Sequence, residues 1–325
     1  MCANFILPCG ENHYGFFLRC PTSFYNRPLQ FEIETACLLD CIHCSSANSR
    51  LLAKRQYSDE DILRLLDLFT GETRVILTGG EPLLYKHIFE LCKQISLKSP
   101  LSKVGIYTTG NIENMRPIDE SMAHQLKTLQ VDECYFSIYS ISAKLHDIWT
   151  QRAGSFSNTI DSVASLKKVG ISSKAHLVLN RHNINSVKEI IRFCESIGMD
   201  EVRILKLAPA GNAQINWDNI SLPLSTQDNI IKQIVSSRNE FTISITVAGY
   251  PTIMPCRNFP NAKGCQAGLN LLYIDSYGDV FPCACAKVNA EKFKICNIIE
   301  IEKLKNYLHS MSKVECRQDC LNSII

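Results

Sequence analysis

The chain has 325 residues, of which 46% are hydrophobic, so it can bury one large domain or one large and one small domain. Its 34 lysine and arginine residues nearly balance 32 aspartate and glutamate residues, and no long basic run favours a nucleic-acid partner. The N-terminus lacks the pattern of a secretion signal, and no segment approaches the roughly 18 apolar residues of a membrane span. We therefore expect a cytoplasmic protein with neither a membrane nor a nucleic-acid partner.

Cysteine is the unusual part of the composition. The chain contains 16 cysteines, and disulfides are rare in the reducing cytoplasm. We expect that many of these cysteines bind a metal or an iron–sulfur cluster.

Short β-rich runs alternate with helix-length segments from about residue 30 to residue 250. The helix predicted over 58–69 begins with an N-terminal capping pair, Ser58 and Asp61. Repeated βα units predict a parallel sheet with helices outside, and chemistry gathers at the carboxyl ends of such strands. The predicted strands are 30–34, 74–78, 103–108, 133–139, 174–179 and 201–207.

The alternation stops after about residue 250, where cysteines become dense. The segment 269–283 predicts two short strands joined by a Ser-Tyr-Gly-Asp turn. We predict an N-terminal extension over 1–29, a core domain over 30–250 and a small second domain over 251–325.

Three cysteines follow the first predicted strand in one short loop. Cys37, Cys41 and Cys44 have the spacing C-x3-C-x2-C. Three such thiolates can bind three irons of a [4Fe–4S] cluster and leave the fourth iron without a protein ligand. On this motif alone two alternatives stay open: a zinc site that recruits His43 or a distant residue, and buried cysteines without a ligand role.

A glycine pair follows the second predicted strand. Gly79 and Gly80 precede Glu81 and Pro82, and glycine lets a backbone approach a ligand closely. Together with the cysteine loop, this segment resembles the radical S-adenosylmethionine (SAM) superfamily. The resemblance implies an α/β fold with a partial (β/α)6 TIM-like barrel as the radical SAM core.

The resemblance also implies a reaction. A [4Fe–4S] cluster on the three cysteines would bind SAM through its open iron, and Gly79, Gly80 and Glu81 would accept hydrogen bonds from the SAM amino group. An electron from the reduced cluster would cleave SAM to methionine and a 5′-deoxyadenosyl radical, which abstracts a hydrogen atom from the substrate.

Further SAM contacts are implied at the ends of later strands. The segment 107–111 is similar to the strand-three segment of the family, with its Gly and Asn in reversed order. Ser137 is expected to contact the SAM ribose, and Asn180, after the fifth strand, completes the predicted SAM site. Arg152, or alternatively Arg203, is expected to pair with the SAM carboxylate as a fork donor, unless each is an ordinary surface arginine.

The C-terminal segment resembles an auxiliary-cluster domain. Cys265, Gly278 and Cys283 follow the opening pattern of the SPASM and twitch domains, which hold auxiliary [4Fe–4S] clusters in radical SAM enzymes. The cysteine count implies one auxiliary cluster here, and therefore two clusters in all. The favoured ligands are Cys265, Cys283, Cys316 and Cys320, and the alternative set has Cys256 in place of Cys316.

Cys285 and Cys296 are left over in either ligand set. They are packing residues, or one of them donates a hydrogen atom to a substrate radical, as in the radical epimerases that this architecture resembles. Cys285, close to Cys283 in the sequence, is the predicted catalytic residue.

The resemblance leaves the substrate open. The stretch 146–156 resembles the cluster-rich subgroup, most of whose members modify ribosomally made peptides, so we favour peptide epimerisation, crosslinking or oxidation. A small-molecule dehydrogenase or epimerase of the aminosugar type is the alternative, and an iron–sulfur carrier or redox sensor is the non-enzyme alternative. An external flavodoxin or ferredoxin is the expected electron donor, because the chain shows no flavin or nicotinamide motif.

Overall fold

The computed structural model of the chain describes residues 28–69, 72–250, 267–268 and 271–311. Within these ranges, no helix combines the length and the apolar character that crossing a membrane requires.

One sheet runs through the whole of this described part. It contains ten strands: Pro28–Glu34 (β1), Arg74–Gly79 (β2), Lys103–Thr108 (β3), Val131–Ser137 (β4), Ser172–Val178 (β5), Glu201–Leu205 (β6), Ser244–Ala248 (β7), Leu272–Ile274 (β8), Asp279–Phe281 (β9) and Cys296–Asn297 (β10). Their order in the described sheet is β10-β9-β8-β1-β2-β3-β4-β5-β6-β7. Strands β1 to β7 are parallel to their neighbours, β8 is parallel to β1, and β9 is antiparallel to both β8 and β10.

Helices connect the parallel strands. The described α-helices are Asp59–Leu66 (α1), Ile88–Lys98 (α2), Glu120–Thr128 (α3), Ala143–Thr150 (α4), Ser155–Lys168 (α5), Val187–Ser196 (α6), Asn212–Ile215 (α7), Trp217–Ile220 (α8), Leu224–Ser236 (α9), Ala290–Phe293 (α10) and Ile301–Met311 (α11). Two 3₁₀ segments matter for the site, Ala47–Leu51 and Ala284–Asn289. The capping pair predicted for the first helix is confirmed, since Ser58 and Asp61 form a complete capping box before α1.

Strand β1 shows how the sheet separates an apolar face from a polar one. Leu29, Phe31 and Ile33 are at most 1% exposed and belong to the large apolar core that the helices share. Side chains alternate between the two faces of a strand, so Glu32 lies on the opposite face, where it is buried among polar groups. The functional residues below lie on this polar face or in the loops at its edge.

The predicted α/β class and parallel, open barrel-like sheet are confirmed. A seventh parallel strand, β7, was not predicted. It lies at an edge of the sheet and only Val247 in it is buried, so it lacks the continuous apolar run of a buried parallel strand. The predicted C-terminal hairpin exists as β8 and β9, and it extends the same sheet by pairing with β1. The division into domains over 1–29, 30–250 and 251–325 stays a prediction.

Candidate functional site

The cysteine loop follows β1, and the end of α4 holds one side of it. The backbone N–H of Asp40 donates to the Thr150 carbonyl at 3.0 Å, and the N–H of Ile42 donates to the Trp149 carbonyl at 3.0 Å. The last carbonyls of a helix have no partners within the helix and are available for such bonds. The end of α4 therefore positions the backbone on both sides of Cys41.

The short helices α7 and α8 hold the other side of the cysteine loop. The Asn212 backbone N–H donates to the Cys44 carbonyl at 2.9 Å, and its side-chain amide donates to the Cys41 carbonyl at 3.0 Å. The amide of Asn216 donates to the Ile42 carbonyl at 3.0 Å. Sequence analysis missed both asparagines, because they act on a loop that lies, for Asn212 and Cys41, 171 positions earlier.

The glycine pair at the end of β2 lies against the backbone that leads into the cysteine loop. The Gly80 N–H donates to the Glu34 carbonyl and the Glu81 N–H to the Ala36 carbonyl, each at 2.8 Å. A Cβ on Gly79 would lie 2.2 Å from the Glu34 carbonyl oxygen, and one on Gly80 would lie 2.1 Å from that of Ala36. Both glycines are therefore required by a close approach of two chain segments directly before the first cysteine.

Glu81 joins the ends of β2 and β3. Its buried carboxylate accepts hydrogen bonds from the Thr108 hydroxyl at 2.8 Å and from the Thr109 hydroxyl and backbone N–H, both at 2.7 Å. The Leu83 N–H donates to it at 3.2 Å. Burial raises the pKa of Glu81, and the hydrogen bonds oppose this rise only in part. The carboxylate thus holds Thr108 and Thr109, which belong to the segment 107–111 that the sequence indicated.

The thiols of the cysteine loop affect one another electrostatically. Burial, followed by the charge of Glu81, raises the pKa of Cys37 to about 12. Burial, followed by the charges of Cys44 and Cys37, raises the pKa of Cys41 well above its ordinary value. Thiols that bind a metal must lose their protons, so an iron–sulfur cluster would supply the positive charge that three neighbouring thiolates require.

The arrangement fits a cluster on chemical grounds. Each thiolate of a cluster binds a different iron, so the three sulfurs need not meet at one point. In the described ranges, no three Cys, His, Asp or Glu side chains converge as the ligands of a single metal ion do.

An aromatic group lies beside the cysteine loop. The ring of His43 stacks on Trp149 at 5.3 Å and meets the edge of Tyr139 at 4.7 Å. Burial lowers the pKa of His43 to about 3, so its ring is neutral at pH 7. Ser137, the predicted ribose contact, ends β4 and shares a hydrogen bond with the Tyr139 hydroxyl.

The predicted carboxylate contact, Arg152, lies exposed in the turn between α4 and α5. Asp147 folds this turn. It accepts hydrogen bonds from the N–H groups of Gly154 at 2.7 Å and Phe156 at 2.9 Å and from the Ser155 hydroxyl at 2.8 Å. The stretch 146–156 is therefore built around a carboxylate that caps the N-terminus of α5.

The side chains of Asn180 and Arg203 both contact other groups of the barrel. The buried Asn180 amide donates to the Val178 carbonyl at 3.0 Å and accepts from the His182 N–H at 2.8 Å, which shapes the turn after β5. The Arg203 guanidinium lies 3.5 Å from the Glu201 carboxylate. The assignment of Ser137, Arg152 and Asn180 to SAM stays a prediction.

The C-terminal cysteines fall partly within the described residues. Cys283 and Cys285 are half-buried at the start of the 3₁₀ segment Ala284–Asn289. Burial lowers the pKa of Lys206, just after β6, while the charge of Cys285 raises it, so this thiol lies near the carboxyl end of β6. Cys296 is 1% exposed within β10 and packs in the core. The predicted ligands Cys265, Cys316 and Cys320, and the alternative Cys256, lie outside the described residues.

A buried carboxylate links the cysteine loop to the C-terminal hairpin. The Glu32 side chain accepts hydrogen bonds from the hydroxyls of Ser46 (2.7 Å), Ser49 (3.0 Å), Ser276 (2.8 Å) and Tyr273, from the Ser276 N–H (2.9 Å) and from the Lys287 ammonium (2.6 Å). Burial alone would raise the pKa of Glu32, but Lys287 and the hydroxyl donors hold it at about 2. No local motif in the sequence indicated this hydrogen-bond network around Glu32.

Comparison with known proteins places the chain among SAM-dependent enzymes. The model of the radical SAM superfamily matches residues 32–194, half of the chain. Over 312 residues the chain is 24% identical to an AdoMet-dependent heme synthase of Oleidesulfovibrio alaskensis, covering 89% of this chain and 77% of the relative. Over 264 residues it is 25% identical to the mycofactocin maturase MftC of Mycobacterium ulcerans, covering 78% of this chain and 67% of the relative.

A solved structure shows the same fold. The crystal structure of Streptococcus suis SuiB bound to precursor peptide SuiA matches 90% of this chain and 67% of its own chain, with a TM-score of 0.64 and 19% identity.

Proposed function

Because this chain belongs to the radical SAM superfamily, we propose that Cys37, Cys41 and Cys44 hold the [4Fe–4S] cluster that this family uses together with SAM. When bound, the cluster supplies the electron for reductive cleavage of SAM. The observation that carries the proposal is the loop itself, since its three electrostatically coupled thiols lie on a backbone that α4, α7 and the glycine pair hold in place.

The first experiment tests this loop. The anaerobically reconstituted, dithionite-reduced protein is incubated with SAM, and 5′-deoxyadenosine is measured together with iron and sulfide per chain. We expect cleavage in the wild type and none in a Cys41→Ala variant. Zinc without iron would refute the proposal and leave the zinc-site alternative. A reduced cluster that never cleaves SAM would refute it and leave the iron–sulfur carrier or redox sensor.

We assign SAM to the loops at the carboxyl ends of the strands. The segment 79–81 would receive its amino group, and Ser137, Arg152 and Asn180 would contact its other groups. Arg152→Met and Arg203→Met separate the two candidate arginines: the variant that loses SAM affinity while keeping its iron identifies the carboxylate ligand.

For the substrate, we favour a ribosomally made peptide that is epimerised, crosslinked or oxidised. Support comes from the relative named as a mycofactocin maturase and from the shared fold with SuiB, whose structure was solved with a precursor peptide. The sheet also stays open in the described part, with β7 and β10 at its edges, which suits a large substrate. A small precursor gene beside this one, whose peptide changes mass on incubation with the enzyme, is the expected finding.

A small-molecule substrate is the second candidate. The relative named as a heme synthase matches 89% of this chain, and its printed name describes a small-molecule product. Turnover of a small molecule encoded by a neighbouring cassette, without modification of any neighbouring peptide, would decide for this alternative.

We propose a second, auxiliary cluster on Cys265, Cys283, Cys316 and Cys320. Iron of about eight atoms per chain is expected, against about four for a single cluster. We also propose Cys285 as the thiol that donates a hydrogen atom, because it lies near the end of β6, where a substrate in the barrel would be. If Cys285→Ala turns over the substrate with the same stereochemical inversion as the wild type, this role is excluded.

An external one-electron donor such as flavodoxin or ferredoxin completes the proposal, with the reaction taking place in the cytoplasm. Replacement of dithionite by a reduced flavodoxin with retained SAM cleavage is the expected result.

A further inference from the structure

Arg50 places a positive charge against the cysteine loop. It lies in the 3₁₀ segment Ala47–Leu51, six positions after Cys44, and its side chain is 22% exposed. Its Nη1 pairs with the Asp40 carboxylate at 2.9 Å. Its Nε is buried and has no hydrogen-bond partner among the described residues. One edge of the guanidinium is thus occupied, while a donor on another edge is left for a further group.

The segment that carries Arg50 is anchored by the Glu32 carboxylate. The hydroxyl of Ser49, the preceding residue, donates to the buried Glu32 carboxylate at 3.0 Å, and Ser46 donates to the same carboxylate at 2.7 Å. An arginine on such an anchored turn loses little further freedom when it forms a contact.

Arg50 is held against the cysteine loop. Its partner Asp40 lies between Cys37 and Cys41 in the sequence, so the 2.9 Å ion pair keeps the guanidinium beside this loop. Burial would lower the pKa of Arg50, but the charges of Cys44 and Cys37 raise it, in agreement with this placement. The buried Nε, which has no partner among the described residues, is therefore a donor held beside the three cysteines.

Nearby charges and hydrogen bonds to sulfur set the reduction potential of an iron–sulfur cluster. A fixed cation favours the more negative, reduced form and therefore raises the potential. An N–H donated to a ligand sulfur acts in the same direction, because it withdraws charge from the cluster.

We propose that Arg50 is a positioning residue for the cluster of Cys37, Cys41 and Cys44, offering its Nε–H to the cluster and raising its reduction potential. This inference rests on the proposed function of the cysteine loop. It assigns to Asp40 the role of orienting the guanidinium, with its own negative charge opposing that of Arg50.

The test is a redox titration of the holoprotein followed by electron paramagnetic resonance, in which the signal that added SAM perturbs identifies this cluster. In Arg50→Met we expect the ratio of reduced to oxidised cluster at a fixed potential to fall about tenfold, which corresponds to about 59 mV for a one-electron couple. Asp40→Asn removes a negative charge and should move the ratio in the opposite direction. Arg64→Met, on the exposed face of α1, is the matched control and should match the wild type.

Iron content gives an independent readout. Loss of iron from Arg50→Met but not from Arg50→Lys or Arg64→Met supports the charge role, and Asp40→Asn then supplies the potential measurement. A wild-type potential in both Arg50→Met and Asp40→Asn overturns the inference. Failure of the proposed function would look different, since the wild type itself would then lack the cluster or SAM cleavage.

Discussion

Position 80 requires glycine because of a close contact, whereas position 170 favours glycine because of its backbone conformation. A Cβ on Gly80 would lie 2.1 Å from the Ala36 carbonyl oxygen, closer than Cβ atoms come to other atoms. Gly170 has a φ of +71°, but nothing lies within 4 Å of its Cβ position. Gly80 is therefore required because two chain segments approach closely, and Gly170 because its turn is left-handed.

We expect Gly80→Ala to push the end of β2 away from the residues before Cys37 and to lower the iron bound per chain by roughly half or more, since such sites tolerate shifts of only about 0.5 Å. Gly170→Ala should cost about 1–2 kcal/mol of backbone strain and leave iron content unchanged. Iron and sulfide per chain after anaerobic reconstitution measure the difference. Full iron in Gly80→Ala would show that this contact does not position the loop.

Thr109 contributes two of the donors that satisfy the buried Glu81 carboxylate. Thr109→Val keeps the backbone N–H and the shape of the side chain but removes the hydroxyl. We expect a loss of about 1–3 kcal/mol in the free energy of unfolding, because a buried carboxylate is left short of a donor. The shift of the urea midpoint measures it, with the exposed Thr226→Val as control. Equal midpoints for the two variants would contradict this account of Glu81.

At this scale the sequence revealed residues whose function is marked by local spacing and hid those that act at a distance. Cys37, Cys41 and Cys44 were identified as one group because they share a short loop. Glu32 and Asn212 were missed, since each contacts groups far away in the chain and neither stands in a recognisable pattern.

Among the elements, the short helix α7 is placed by its close contacts with the cysteine loop. A Cβ on Gly211, directly before the helix, would lie 2.3 Å from the Cys44 carbonyl oxygen. This glycine lets the helix start against the cysteine loop, so that Asn212 can bond both the loop backbone and the Asp40 carboxylate, the latter at 3.1 Å.

We expect Asn212→Ala to loosen the loop and speed the loss of its cluster. Each lost hydrogen bond costs about 0.5–1.5 kcal/mol, so cluster release to an iron chelator should become about tenfold faster if both bonds hold the bound state. Asn219→Ala, at an exposed position of α8, is the matched control. Identical release rates would show that α7 touches the loop without holding it.

The strands were predicted better than their ends. Period and composition located the first six parallel strands, because buried parallel strands carry nearly continuous apolar runs. The predicted fourth strand began at 133 and the fifth at 174, whereas β4 begins at Val131 and β5 at Ser172. The polar residues Asp132, Ser172 and Ser173 interrupt the apolar pattern near those starts. Ser172 and Ser173 belong to the sheet through backbone pairing with β4, which side-chain patterns do not record.

At the scale of the whole molecule, Glu32 connects parts that are far apart in the sequence. Its partners come from the segment after Cys44, from the hairpin of β8 and β9, and from Lys287, which follows Cys285 by two positions. The sequence predicted two cysteine-rich regions but not this connection between them. These buried contacts thereby connect the segment of Cys283 and Cys285 to the segment that follows Cys44.

The pH dependence of stability follows from this pair. The pKa of Glu32 is held at about 2, below its ordinary 4.5. The ionised carboxylate therefore stabilises the fold above about pH 4.5, and this stabilisation, about 3 kcal/mol, is lost as the pH falls towards 2.

Lys287→Met removes the cation and leaves Glu32 buried without its counter-charge. We expect a loss of about 3–5 kcal/mol in the free energy of unfolding at pH 7, because breaking a buried pair on one side leaves an uncompensated charge. The variant should lose less further stability than the wild type between pH 5 and pH 3, since the pKa of Glu32 is no longer held low by the ammonium. Urea unfolding at pH 7, 5 and 3 measures both effects, and the exposed Lys292→Met is the matched control. A variant that follows the wild-type pH profile with only a uniform offset would show that Lys287 packs beside Glu32 without supplying the charge that ionises it.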